Sequence, residues 1–262
     1  MPKATTKPAH KREQPRRCAL AIEGLGAPVE IRRHPSARRM TLRVSQVRRA
    51  VIVTMPLRCR IDEADSFLHR NLAWVQERLG SMPPPVPFAD GASVPFRGVR
   101  HSVVYAAPVR GAGVVTVDAT GTVPRLIVRG QPEHCPRRLR DWMMSEARVD
   151  IAQRVAVHAK ALSLRPGKIV LRDQASRWGS CTSAGVLSFS WRLIMAPPYV
   201  LDYVAAHEVA HLAEMNHGPR FWSLVRQTFP DMDAAKRWLR LHGTELHRYA
   251  INAGPSSAAN DG

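Results

Sequence analysis

The five residues His207-Glu208-Val209-Ala210-His211 constrain this 262-residue chain more than any other stretch. The run before them, Tyr199-Val200-Leu201-Asp202-Tyr203-Val204-Ala205-Ala206, is suited to a helix. Two histidines four apart on a helix send their rings off the same face. Imidazoles at that spacing can hold one zinc ion at about 2.0–2.1 Å each. Glu208, next to the first histidine, is swung roughly 100° round the helix. It is therefore expected to work on water at the metal as a general base rather than to bind the ion.

A hydrolytic zinc site usually has three protein ligands. His217 lies six residues after His211, and on an unbroken helix it would face away from the metal. It reaches the site if the helix ends near Met215-Asn216, with Asn216 as a left-handed cap and Gly218-Pro219 blocking continuation. Glu214 competes for the third position. It stays on the metal-facing stripe, but its distance along the axis suits a neighbouring group better than a ligand. His158, His242 and His247 have no partner at ligand spacing and read as surface or capping histidines.

The rest of the chain supplies a frame. Val29 and Ile31, then Met40, Leu42 and Val44, then Val51 and Val53 alternate as three short strands. Arginines fill the positions between, so one face of this sheet is apolar and the other basic. Ile61 to Leu79 has a helical period, closed by Gly80, and Met82 to Pro87 is a proline-rich linker. Val94–Tyr105 and Val114–Val128 read as strands. Cys135 to Leu164 reads as a long helix and Ile169–Leu171 as a buried strand. A hairpin is expected over Trp178–Ile194, then helices from Pro198, over Pro219–Thr228 and over Asp233–Leu246.

Charge and cysteines narrow the setting. Lys+Arg is 39 against 21 for Asp+Glu, and residues 1–60 carry 15 basic and 3 acidic side chains. A basic end of that kind suits nucleic acid, anionic lipid or an acidic partner, or is a solvated arginine-rich face. Cys18, Cys59, Cys135 and Cys181 form no C-x-x-C pair, which argues against a zinc ribbon or a disulfide framework. No apolar run reaches the roughly 18 residues of a membrane span. Cys18 to Leu25 is too short for a signal peptide, so a cytoplasmic location is expected.

Several stretches together carry a family resemblance: Arg177-Trp178-Gly179-Ser180-Cys181, Trp191 to Pro198, HEVAHLAEMNH at 207–217, and Arg220-Phe221-Trp222. With them the chain resembles the YgjP-like metal-dependent hydrolases, relatives of the small zincin peptidases of the SprT and WLM type. The likeness is strongest over residues 165–245 and extends to the basic meander at 29–54 and the helix at 61–80. It implies one zinc ion per chain held by His207, His211 and His217, with Glu208 as general base. The spacing of the three histidines is also that of metzincins, which carry glycine where this chain has Glu214.

The expected fold is α+β. A flexible basic tail (1–17) leads into a β-rich part (18–130), a zincin-like catalytic part (131–250) and a second flexible tail (251–262). Within the 177–181 run, Arg177, Trp178 and Ser180 are candidates for substrate binding. An edge strand there can pair with an extended peptide, and Arg177 can face a developing oxyanion. The competing reading makes Trp178 and Trp191 core fillers and Arg177 an ion-pair partner. Cys181 has no base beside it and reads as a buried small residue, and Phe221 and Trp222 as packing behind the metal helix. The leading functional expectation is a zinc metallopeptidase acting on peptides or proteins. The alternatives are a metal-dependent hydrolase of a nucleotide phosphate anhydride, though no phosphate loop is present, and a nucleic-acid-associated protein with a structural zinc.

Overall fold

The computed structural model describes residues 17–20, 25–174 and 176–250. The two expected tails fall outside these residues, except for Arg17. The chain divides into two compact units, residues 1–82 and 83–262. The boundary expected at 130/131 lies inside the second unit.

The first unit is a four-stranded sheet with two helices. Its strands are β1 (Arg17–Leu20), β2 (Val29–Arg33), β3 (Thr41–Ser45) and β4 (Ala50–Met55), in the order β1-β2-β4-β3. β2 and β4 run parallel, and the outer pairs are antiparallel. Alternation sends Val29, Ile31, Val51, Val53 and Met55 to one face. There they pack with Ala64, Leu68 and Val75 of the helices. The sequence reading made those helices one. They are two, α1 (Ile61–Arg70) and α2 (Leu72–Gly80). The chain leaves helical geometry at Asn71 (φ −111°, ψ 13°), whose side-chain amide donates to the Phe67 carbonyl at 2.7 Å. An Asn side chain that bonds back to the preceding turn competes with the helix in this way. Gly80 is the last helical residue rather than a left-handed cap, and Ser81 follows in right-handed geometry.

The second unit has two sheets around a helical core. One sheet contains β5 (Ser93–Phe96), β6 (Val99–Ala106), β7 (Val115–Asp118) and β8 (Arg125–Arg129) in the order β5-β6-β8-β7. The other contains β9 (Ile169–Arg172), β10 (Gly179–Cys181) and β11 (Leu187–Ser190) in the order β10-β11-β9, which leaves β10 at an edge. The expected hairpin strand stops early: Trp191–Met195 is a 3₁₀ turn. The helices are α3 (Cys135–Ala161), α4 (Pro198–Ala210), α5 (Pro219–Thr228) and α6 (Met232–His242), and the 3₁₀ segment Gly243–Arg248 ends the last helical stretch early.

α4 is the centre of this unit. Nine of its thirteen residues are buried, including Glu208, as expected of a helix apolar nearly all round. α3 presents Leu139, Met143, Ala147, Ile151, Val155 and Ala159, every fourth residue, to the same core. Two devices hold α4 in place. At its start, the Gly98 amide reaches the Met195 carbonyl at 3.3 Å. A Cβ on Gly98 (φ +80°) would lie 2.8 Å from the Pro197 Cα, so both the turn and the close approach need glycine there. Along its length, Asp202 accepts two bonds from Arg154 of α3, at 2.5 and 2.6 Å, and one from His158 at 2.6 Å. His158 is 1% exposed and His247 7% exposed. Both were expected as surface or capping histidines, but Asp202 holds His158 inside and the Trp178 ring packs on His247, contacts that spacing along the chain does not reveal.

Candidate metal centre

Three histidines converge where α4 ends. The helix stops at Ala210, and His211 caps it in right-handed geometry (φ −65°, ψ −18°). That is several residues before the expected end at Met215-Asn216. The chain then tightens, with Leu212, Ala213 and Glu214 amides bonded to the Val209 and Ala210 carbonyls, and turns back to present His217 just ahead of α5. The early stop lets residue 217 reach residue 207. Their Nε2 atoms lie 3.1 Å apart. One ligand atom from each of His207, His211 and His217 lies within 4.8 Å of the others.

His211 is oriented by a main-chain bond, and His207 and His211 are partly desolvated while His217 stays exposed. His211 Nδ1 lies 3.0 Å from the Glu214 carbonyl. As the donor it fixes the tautomer and leaves the Nε2 lone pair free. Glu214 therefore acts through its main chain, and its carboxylate is not in the cluster. Phe221, fully buried, sits 4.5–4.8 Å from all three rings, and Trp222 lies 5.9 Å from His207 and 5.7 Å from His217. Burial, with His211, His217 and Lys236 nearby, pushes the His207 pKa down to about 3. Burial also lowers that of His211. Both are thus neutral, the form that ligates a metal. Lys236, absent from the sequence reading, sits 3.9 Å above the Trp222 ring.

Glu208 is 4% exposed, and its Oε2 has no hydrogen-bond partner among the described residues. Burial pushes its pKa up to about 8 against the pull of Arg177. β10 passes directly over it. A Cβ on Gly179 would lie 2.7 Å from the Glu208 Cδ, with Oε1 closer still. Cys181 is two residues on, on the same face of the strand, and burial together with Glu208 raises its pKa, the opposite of a reactive thiolate. Ser180 points the other way by strand alternation. Trp178 packs on His247 (5.1 Å between rings) and over Gly243, and Ser180 pairs with Ser188. Arg177 is exposed and has no side-chain ion pair among the described residues. Of the three nominated substrate residues, Arg177 is the one whose charge acts on Glu208.

These residues fit a divalent cation. The donor set is three imidazoles, of which burial holds His207 and His211 neutral. The 3.1 Å between Nε2 atoms is close to the roughly 3.3 Å separating two nitrogen donors on one tetrahedral zinc. Beside them Glu208 is buried with an unpartnered oxygen and stays protonated near neutral pH unless a positive charge at the site favours the carboxylate.

The family model of the YgjP-like metallopeptidase domain matches residues 38–242. The chain belongs to the YgjP-like family. At family level it is a metal-dependent peptidase, and the substrate class is protein. Among solved structures it is similar to the crystal structure of the metallopeptidase zymogen of Pyrococcus abyssi abylysin. The identity is 22% over 38% of this chain and 99% of that one, with a TM-score of 0.33. No curated protein matches the chain. Among the described residues no helix is long and apolar enough to cross a membrane.

Proposed function

We propose that the chain is a zinc peptidase in which His207, His211 and His217 hold the ion and Glu208 is the general base. The observation that carries this reading is the convergence of three imidazoles beside a buried carboxyl group with an unpartnered oxygen. A structural zinc site has no use for such a carboxylate. A zinc ion in a three-histidine site supplies an acidified water and polarises a carbonyl.

The chain's own residues do the rest. Glu208 accepts the proton of the attacking water at its free oxygen and passes it to the leaving amine. Arg177, whose charge pulls on Glu208, faces the charge that develops on the carbonyl oxygen. The free edge of β10 offers main-chain hydrogen bonds to an extended substrate. Phe221 and Trp222 keep water from the back of the imidazole cluster.

Metal content and casein cleavage test the reading together, with wild type beside His207→Ala and Glu208→Gln. The expectation is one zinc per chain in wild type and Glu208→Gln, little in His207→Ala, and cleavage by wild type alone. Undiminished zinc in His207→Ala would overturn it.

A further inference from the structure

The first unit separates its charges. Between residues 25 and 60, the strands and their connections carry nine arginines and one carboxylate, Glu30. The helical stretch 61–82 carries Asp62, Glu63, Asp65 and Glu77 against two arginines. Register places two of the arginines, Arg32 and Arg43, on one surface. Glu30, Arg32, Ile52, Thr54, Thr41 and Arg43 alternate with the helix-facing core residues and share the opposite face of the sheet. Cross-strand pairing sets Arg32 beside Thr54, Thr54 beside Thr41, and Arg43 beside Ile52. Glu30 is already engaged by Arg32 at 2.6 Å and Arg48 at 3.1 Å.

An open groove of about 710 Å³ runs along this surface at the β2–β3 connection, lined by His34, Ser36, Arg38, Arg39, Thr41 and Thr54. Every polar side chain in that lining can donate. The Ser36 amide donates to His34 Nδ1 at 3.3 Å, which puts the ring proton on Nε2. Guanidinium groups are donors only, and no carboxylate lines the groove. Arg38, Arg39 and Arg43 are exposed, and their side chains have no ion pair among the described residues. By contrast, the groove on the helical side is of mixed charge, lined by Asp62, Glu63 and Arg70 with Met40 and Ser66.

We propose that this face of the first unit binds the phosphodiester backbone of a nucleic-acid strand. The occupant follows from the chemistry. A groove whose polar side chains can all donate, and which Arg38 and Arg39 make positive, suits a ligand made of negatively charged acceptors, and arginine forks match phosphate oxygens. The charged groups continue from the groove onto the strands, which suits a repeating anion better than a single one. The named groove and face residues include no Phe, Tyr or Trp, and the one aromatic ring, His34, is tied to Ser36, so the contact is chiefly to the backbone, with little sequence preference.

Fluorescence anisotropy of the full chain with a labelled mixed-sequence 20-nucleotide single strand, between 50 and 300 mM salt, tests this. Wild type is expected to bind with affinity falling linearly in log salt. Arg38→Ala/Arg39→Ala/Arg43→Ala is expected to weaken binding at least tenfold and to flatten the slope by about 2, since each single-strand phosphate contact contributes about 0.7. Removing two exposed arginines of the second unit, Arg137→Ala/Arg140→Ala, is expected to change affinity less than twofold. Three results would overturn the proposal: no binding at 50 mM salt, equal losses in the two variants, or equally tight binding of poly-glutamate, which would mark an acidic polypeptide as the partner. None of them bears on the zinc site.

Discussion

The carboxylate of Glu208 occupies the space that a side chain at residue 179 would need. The contact joins the edge strand β10 to the helix α4, and it makes Gly179 the residue of the 177–181 run that meets the proposed base. Gly179→Ala is expected to displace Glu208, cutting peptidase activity at least tenfold while zinc stays at wild-type stoichiometry. Overpacking of this kind also costs about 1–3 kcal/mol of stability. That cost should largely vanish in a Glu208→Ala background, which empties the seat. A double-mutant cycle by urea unfolding checks it, and additive losses would place the effect of residue 179 elsewhere.

Asp202 locks α4 to α3. Burial works against its charge, but the hydrogen bonds from His158 and Arg154 outweigh burial and hold its pKa below 3.8. A depressed carboxylate stabilises the fold above its unfolded pKa, and that contribution disappears as pH falls through the lower folded value. Asp202→Ala strands the buried His158 and should cost about 2–4 kcal/mol at pH 7. Its penalty relative to wild type should shrink in unfolding measurements below pH 3.8. A penalty independent of pH would show that packing, not charge, holds the two helices.

His247 predicts the opposite end of the acid range. Burial, reinforced by Arg192 and opposed by Asp173, lowers its pKa from 6.5 to about 4. The unfolded chain takes up this proton near pH 6.5, whereas the folded chain resists until about 4, so stability falls as pH drops between those values. The loss from this one group reaches about 2 kcal/mol by pH 5. Thermal melts of His247→Gln at pH 7.5 and pH 5 should therefore show a smaller acid-induced drop in Tm than wild type. An identical drop would mean that the ring is protonated as easily inside as outside.

What the sequence revealed and what it hid follow from range. The HEVAH spacing, the third histidine and the alternation of Val29, Ile31, Val51 and Val53 depend on residues near one another in the chain, and helix and strand periods translate them directly into faces. The seat of Glu208 depends on a strand 29 residues away, and the burial of His158 on Asp202, 44 residues away. Neither distance has a period. Asn71 lay within reach, since an asparagine inside a helical pattern is a known competitor for the preceding carbonyls. The early end of α4 was not legible, because Val209 to Glu214 continue the helical period although the chain turns toward His217.

Glu214 and His217 competed for the third ligand position on spacing, and their surroundings now separate them. His217 brings a ring nitrogen to 3.1 Å from that of His207, while Glu214 offers His211 a backbone carbonyl at 3.0 Å. Glu214→Gln keeps that carbonyl and is expected to retain one zinc per chain, with affinity within about threefold of wild type. His217→Ala removes a donor nitrogen and should lower zinc affinity by at least a hundredfold, since two imidazoles leave the ion half-coordinated. Competition against a chromogenic chelator measures both. A large loss in Glu214→Gln with little in His217→Ala would reverse the assignment and place the carboxylate on the metal.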